Sequence, residues 1–189
     1  MKKTIFIVFL FSKSVCAQIP GVFLAKEYSK EVSLYRAKAF IISDVLGQSN
    51  DVVKFEVYPL VASNSGELTT LVYKCDSKNK SGLLLGFNSS KFNEAGITYQ
   101  AYSFKNLPAK QANEFCDNLE IAIKINQDYL ESDHDNKNIY FNYDDIRILI
   151  YKTAGGTKLR IFWENYDSEW DYDSVTKTKK RLKKELDKF

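Results

Sequence analysis

From Val52 to Phe104, apolar side chains recur at every second position, and the runs that carry them are joined by short polar stretches. Val53, Phe55 and Val57, followed by Leu60, make the first run. Leu68 to Cys75 (LTTLVYKC), Leu83 to Phe87 (LLLGF) and Ile97 to Phe104 (ITYQAYSF) make the others. A period of two places successive side chains on opposite faces of a strand. Parallel neighbours need a crossover of a dozen or more residues, and these connections are too short for one. The segment therefore predicts a four-stranded antiparallel meander. Asn64-Ser65-Gly66, Asp76 to Gly82 and Asn93-Glu94-Ala95-Gly96 supply its turns. Pro59 cannot donate to a ladder, which puts the first strand at an edge or near its own end.

The period is helical on either side of the meander. Leu24, Tyr28, Val32, Tyr35, Ala39, Ile42 and Leu46 recur at spacings of three and four, and Gly47 stands where a C-terminal glycine belongs. Asn106-Leu107-Pro108 opens a middle helix, with Asn106 as its cap and Ala112, Phe115, Leu119, Ala122, Ile123 and Tyr129 on its apolar face. Two further strand patterns follow, Ile139 to Tyr143 and Ile146 to Lys152, with Asp144-Asp145 as a bulge between them. After the Ala154-Gly155-Gly156 turn, Lys158 to Trp163 is another strand. Ser174 to Phe189 closes the chain as a helix with Val175, Leu182, Leu186 and Phe189 inward. The expected fold is α+β. It is a single domain over 18–189, with one antiparallel sheet of about six or seven strands and three helices packed mostly on one face.

The first 17 residues read as an export signal. Lys2 and Lys3 precede the apolar stretch Thr4 to Phe11, and Val15 and Ala17 place small side chains at −3 and −1 of a cut between Ala17 and Gln18. The apolar stretch is far short of the roughly 20 residues that span a bilayer, so no stable membrane anchor is expected after cleavage. Lipidation at Cys16 is disfavoured, because Lys13 and Val15 stand where a lipoprotein signal carries a leucine-like and a small residue. The compartment is then the periplasm or the medium.

Charge and cysteines are read with that cut in mind. The chain has 27 basic and 24 acidic residues, and three of the lysines lie in the signal, which holds no acid. The mature chain is electrically balanced. Global charge gives no drive toward nucleic acid, which is not expected as a partner. Cys75 and Cys116 survive the cut, and an even count in an oxidising compartment predicts a disulfide between them. Closing that loop would contribute about 4 kcal/mol if chain entropy dominates.

No stretch spells out a reaction. Ala154 to Lys158 (AGGTK) lacks the glycine spacing and following helix of a phosphate loop. His134, between Asp133 and Asp135, has no nucleophile elbow to serve. The oxygens of Asp128, Glu131, Asp133, Asp135, Asn136 and Asn138 miss the calcium-loop spacing. No catalytic residue, cofactor or metal ligand is assigned. Glu164, Asp167, Glu169, Asp171 and Asp173 alternate with Trp163, Tyr166, Trp170 and Tyr172, which would suit a small glycan-acting hydrolase with paired carboxylates. They would equally stabilise the start of the last helix, with Asp173 as cap. That helix is crowded with lysines. Lys177, Lys180, Arg181 and Lys184, together with Trp163 and Trp170, are the expected interaction surface for another protein or an envelope component. A non-catalytic binding or inhibitor-type module is the leading expectation. A glycan hydrolase and a carrier of an apolar ligand are the alternatives.

Overall fold

The computed structural model describes residues 34–133 and 136–188. The signal, the cut at Ala17 and Gln18, Cys16, His134, Asp135 and Phe189 lie outside them. The chain divides into two units, Met1–Ala39 and Phe40–Phe189. The described part of the first is helical. Helix α1 is taken as 34–40, and a π-helical turn, Ile41–Leu46, opens the second unit.

The remaining elements follow in order. Strands β1 (Glu56–Ala62), β2 (Leu68–Cys75), β3 (Lys80–Phe92) and β4 (Thr98–Pro108) precede helices α2 (Ala109–Ile125) and α3 (Gln127–Glu131). Strands β5 (Asn138–Tyr143), β6 (Ile146–Thr153), β7 (Gly156–Trp163) and β8 (Tyr166–Asp171) precede helix α4 (Tyr172–Leu186). The α+β class and the meander are as expected; the sheet count is not. The strands form two antiparallel four-stranded sheets, β1-β2-β3-β4 and β5-β6-β7-β8, in place of one sheet of six or seven. Each sheet is a chain of hairpins, and α2 and α3 separate β4 from β5.

Alternation along the strands builds one core between the sheets. Leu68, Val72, Leu83, Leu85, Phe87 and Leu107 face inward from the first sheet. Ile146, Ile148, Ile150, Leu159, Ile161 and Trp163 answer from the second. Phe115, Cys116 and Leu119 of α2 and Val175 and Leu182 of α4 complete it. The opposite face of the first sheet is also covered. Leu71, Tyr73, Leu84 and Phe104 are buried there, as are Ile41, Val45 and Leu46. The Phe40 and Phe104 rings lie 5.6 Å apart, and the Lys80 ammonium donates to the Val45 carbonyl.

Several local expectations shift. Tyr35, Ala39 and Ile42 are exposed, and Ile41 and Val45 take the inward positions. Residues 41–46 form a π-helical turn, which bonds i to i+5. Gly47 closes that turn with φ of 72° and its amide donates to the Ile42 carbonyl at 3.0 Å. Asn106 lies inside β4, so it caps nothing; Pro108 is the α2 cap residue. Tyr129 is exposed, because α2 stops at Ile125 and Leu130 fills the core from α3. Asp144-Asp145 is a hairpin turn with Asp144 at φ of 53°, not a bulge.

Helix α4 is clamped to α2 by one cation. Lys179 reaches Asp117 at 2.7 Å and Glu120 at 2.6 Å. The bonds from Asp117 and Glu120 keep its ammonium protonated well above the usual lysine range. Lys179→Met is expected to lower stability by about 1 kcal/mol, allowing for solvent screening, because the largely covered Glu120 loses its nearest cation and keeps only Lys124 at 4.0 Å. The folded lysine holds its proton more tightly than the unfolded one. Its contribution is therefore complete below roughly pH 10 and is lost as pH rises through the raised folded value. Urea titrations of both proteins between pH 7 and 11 check this, and the gap between them should narrow only at the alkaline end.

Candidate interaction surface

The cationic residues of α4 sort by helical position. Val175, Thr178 and Leu182 are buried, and Lys179 leans onto α2. Lys177, Lys180, Arg181 and Lys184 are spaced so that they share the outward side of the helix. All four are exposed, and Lys183 flanks them. Among the described residues, Lys177, Lys180, Lys183 and Lys184 have no carboxylate partner. Arg181 is different. Its guanidinium donates to the Leu60 carbonyl of edge strand β1, so part of its donor set secures the helix to the sheet.

The helix starts where charge favours it. Asp173 lies in the first turn, and Lys183 and Lys184 in the last, which complements the helix dipole at both ends. The cap position belongs to Asp171, not to Asp173, and the Asp171 side chain makes no cap bond. It accepts from the Asn64 amide instead, which ties the β1–β2 turn to the end of β8.

Trp163 and Trp170 do not belong to the surface. Both are buried, because they occupy the inward positions of β7 and β8. Trp163 donates to Asp145 at 3.0 Å and lies 5.3 Å from the Phe87 ring. Trp170 stacks on Phe115 with ring centroids 6.4 Å apart. The alternation that suggested a sugar site is the alternation of a strand.

Within β8, Asp167 and Glu169 point outward and meet cations across the ladder, whereas Asp171 is buried. Lys158 lies 2.9 Å from Glu169, and Tyr151 donates to the same carboxylate at 3.3 Å. Arg160 makes two bonds to Asp167, at 3.0 and 2.7 Å, and approaches Glu67 at 3.7 Å. A glycoside hydrolase needs one protonated acid facing one ionised carboxylate across a substrate. Carboxylates held singly by cations on an open sheet do not supply that pair.

The two thiols are free and buried, so the expected disulfide is not made. Strand alternation explains why. Cys75 follows Leu71 and Tyr73 on one face of the first sheet, whereas Cys116 sits in the core behind the Val72 face. The sheet stands between them. Burial pushes the Cys116 thiol up to about 12, which makes it inert as a nucleophile at neutral pH.

Other candidate chemistry is also absorbed by structure. Near the possible calcium loop, Glu131 pairs with Lys152 at 2.8 Å, and Asp133 accepts from Asn136 at 3.0 Å. No group of three or more potential ligands that could hold a metal is present among the described residues. No helix among them is long and apolar enough to cross a membrane. A cleft of about 420 Å³ lies where the start of α2 meets the β2–β3 turn. Lys74, Lys80, Lys110, Asn79 and Asn113 line it, which does not suit an apolar cargo. No known family, curated protein or solved structure matches this chain.

One surface escaped the sequence reading. Phe92, Ile97 and Tyr99, at the end of the β3–β4 hairpin, are exposed large apolar residues. The signal was there in KFNEAGITY: apolar residues on both sides of a turn.

Proposed function

We propose that the protein is a non-catalytic binding module of the periplasm or the medium, whose α4 face holds an acidic protein surface. One observation carries this reading: Lys177, Lys180 and Lys184 share an exposed helix face with no carboxylate partner among the described residues. On the second sheet, the half-buried cations Lys158 and Arg160 are matched by acids. Unmatched like charges on one face repel one another, and an acidic partner removes that repulsion and speeds encounter. The ion-paired carboxylates Asp167 and Glu169 and the two buried thiols count against a hydrolase or a thiol enzyme. Burial also shields both cysteines in an oxidising compartment.

The triple variant Lys177→Glu, Lys180→Glu, Lys184→Glu tests the reading. With poly-L-glutamate as a defined acidic polypeptide, the unaltered protein should bind in low salt and weaken as salt rises. The variant should bind on the order of 30-fold more weakly. Its melting temperature should change little, because these side chains are exposed and unpaired. Equal binding by both proteins would sink the proposal. Export belongs to the same reading. N-terminal sequencing of protein recovered outside the cytoplasm should begin at Gln18, and an uncleaved chain confined to the cytoplasm would overturn that part.

A further inference from the structure

The β3–β4 hairpin is longer than the sheet that carries it. Strand β2 covers β3 only from Lys80 to Phe87. Beyond Asn88, whose amide still donates to the Glu67 carbonyl, 89–92 of β3 pair with 98–101 of β4 alone, as a two-stranded ribbon. Phe92 is 73% exposed, Ile97 63% and Tyr99 48%. Phe92 pairs with Thr98, and Tyr99 with Lys91, so Phe92 and Tyr99 lie on opposite faces. The tip is apolar on both sides and close to its apex.

A ribbon of two strands is marginal in water by itself, and this one is braced at its apex and along its length. At the apex, the Asn93 carboxamide oxygen accepts from the Ala95 amide at 3.0 Å and the Ile97 amide at 2.8 Å. Asn93 and Ile97 also bond through their main chains at 3.0 Å. Along the ribbon, Gln100 donates to Ser90 at 2.8 Å. One position from the tip pair, the Lys91 ammonium lies 4.0 Å from the Tyr166 ring centroid. Exposed aromatic and aliphatic side chains held in one geometry lose little freedom on binding, which is what makes an efficient anchor.

The arrangement limits what can receive it. A flat surface would cover one face and leave the other in water. A bilayer would surround the tip, but Glu94 leads at the apex without a cation partner among the described residues. A carboxylate entering hydrocarbon costs more than Phe92 and Ile97 return at the same depth. We propose that the ribbon tip is an anchor that inserts into an apolar cleft of a partner protein, with a cationic group on the cleft floor to receive Glu94. The anchor is independent of the α4 face.

The test places a benzophenone side chain at position 92 of the full chain, in the cells that make it, with position 140 on the other sheet as control. Irradiation should join position 92, and not position 140, to one protein. The attached peptide should map to residues lining an apolar cleft. Ile97→Ser with Tyr99→Ser should cut the yield at least ~30-fold without lowering the melting temperature. Glu94→Lys should cut it about 10-fold, and Lys177→Glu with Lys180→Glu should leave it intact. Adducts to lipid or to a second copy of the chain, no adduct at all, or a protein adduct indifferent to Ile97, Tyr99 and Glu94 each overturn the proposal. Phe92-dependent sedimentation with vesicles of phosphatidylcholine and phosphatidylglycerol (3:1) would overturn it as well.

Discussion

Trp170→Ala is expected to destabilise the protein by about 4 kcal/mol, a large share of the total stability of a domain of this kind. Trp170 is fully buried between the sheets and stacked on Phe115 of α2. Its removal leaves a cavity that two sheets and a helix cannot collapse around together. The indole N–H adds a second handle, because it is buried without an acceptor. Trp170→Phe removes that unpaired donor along with part of the ring, so it should cost less than about 2 kcal/mol. Urea unfolding followed by far-ultraviolet circular dichroism measures both. Equal losses for the two variants would show that packing volume at this position matters less than the geometry implies.

Gly82→Ala is expected to cost about 2–3 kcal/mol, for the opposite reason. A Cβ built on Gly82 would lie 2.4 Å from the Leu107 carbonyl oxygen and 2.9 Å from the Tyr73 hydroxyl. Leu107 is main chain of the paired strand, so relief requires β3 and β4 to part. Gly155 is the control. A Cβ there meets its nearest atom, the Thr153 hydroxyl, at 3.6 Å, and Gly155→Ala should change stability by under about 0.5 kcal/mol. Urea midpoints for the two variants check the contrast. A Gly82→Ala protein as stable as its parent would mean that the hairpin yields at this point.

The candidate surface was only half legible before the structure. Lys177, Lys180 and Lys184 could be placed on one helix face because helical spacing is local. That Lys179 would be consumed by Asp117 and Glu120 could not, since those acids lie on another helix. Trp163 and Trp170 are misplaced when 163–173 is read as a run of acids between aromatics. Trp163 ends β7, and β8 is a strand whose inward positions include Ser168 and Trp170. The period of two is present there, but the interleaved acids obscure it. Their partners, Lys158 and Arg160, are found only once β7 and β8 are paired.

What the sequence by itself determined is what the backbone decides locally. Alternation defined the strands LTTLVYKC and KLRIFW, glycine and asparagine marked the turns, and three-four spacing placed the inward faces of α2 and α4. Only the tertiary structure decided that the eight strands divide into two sheets, that the first sheet separates Cys75 from Cys116, and that the β3–β4 ribbon outruns β2. The reason is physical. Side-chain direction along a strand follows from two dihedral angles per residue, whereas a strand's neighbours and coverings follow from which distant surfaces exclude water together.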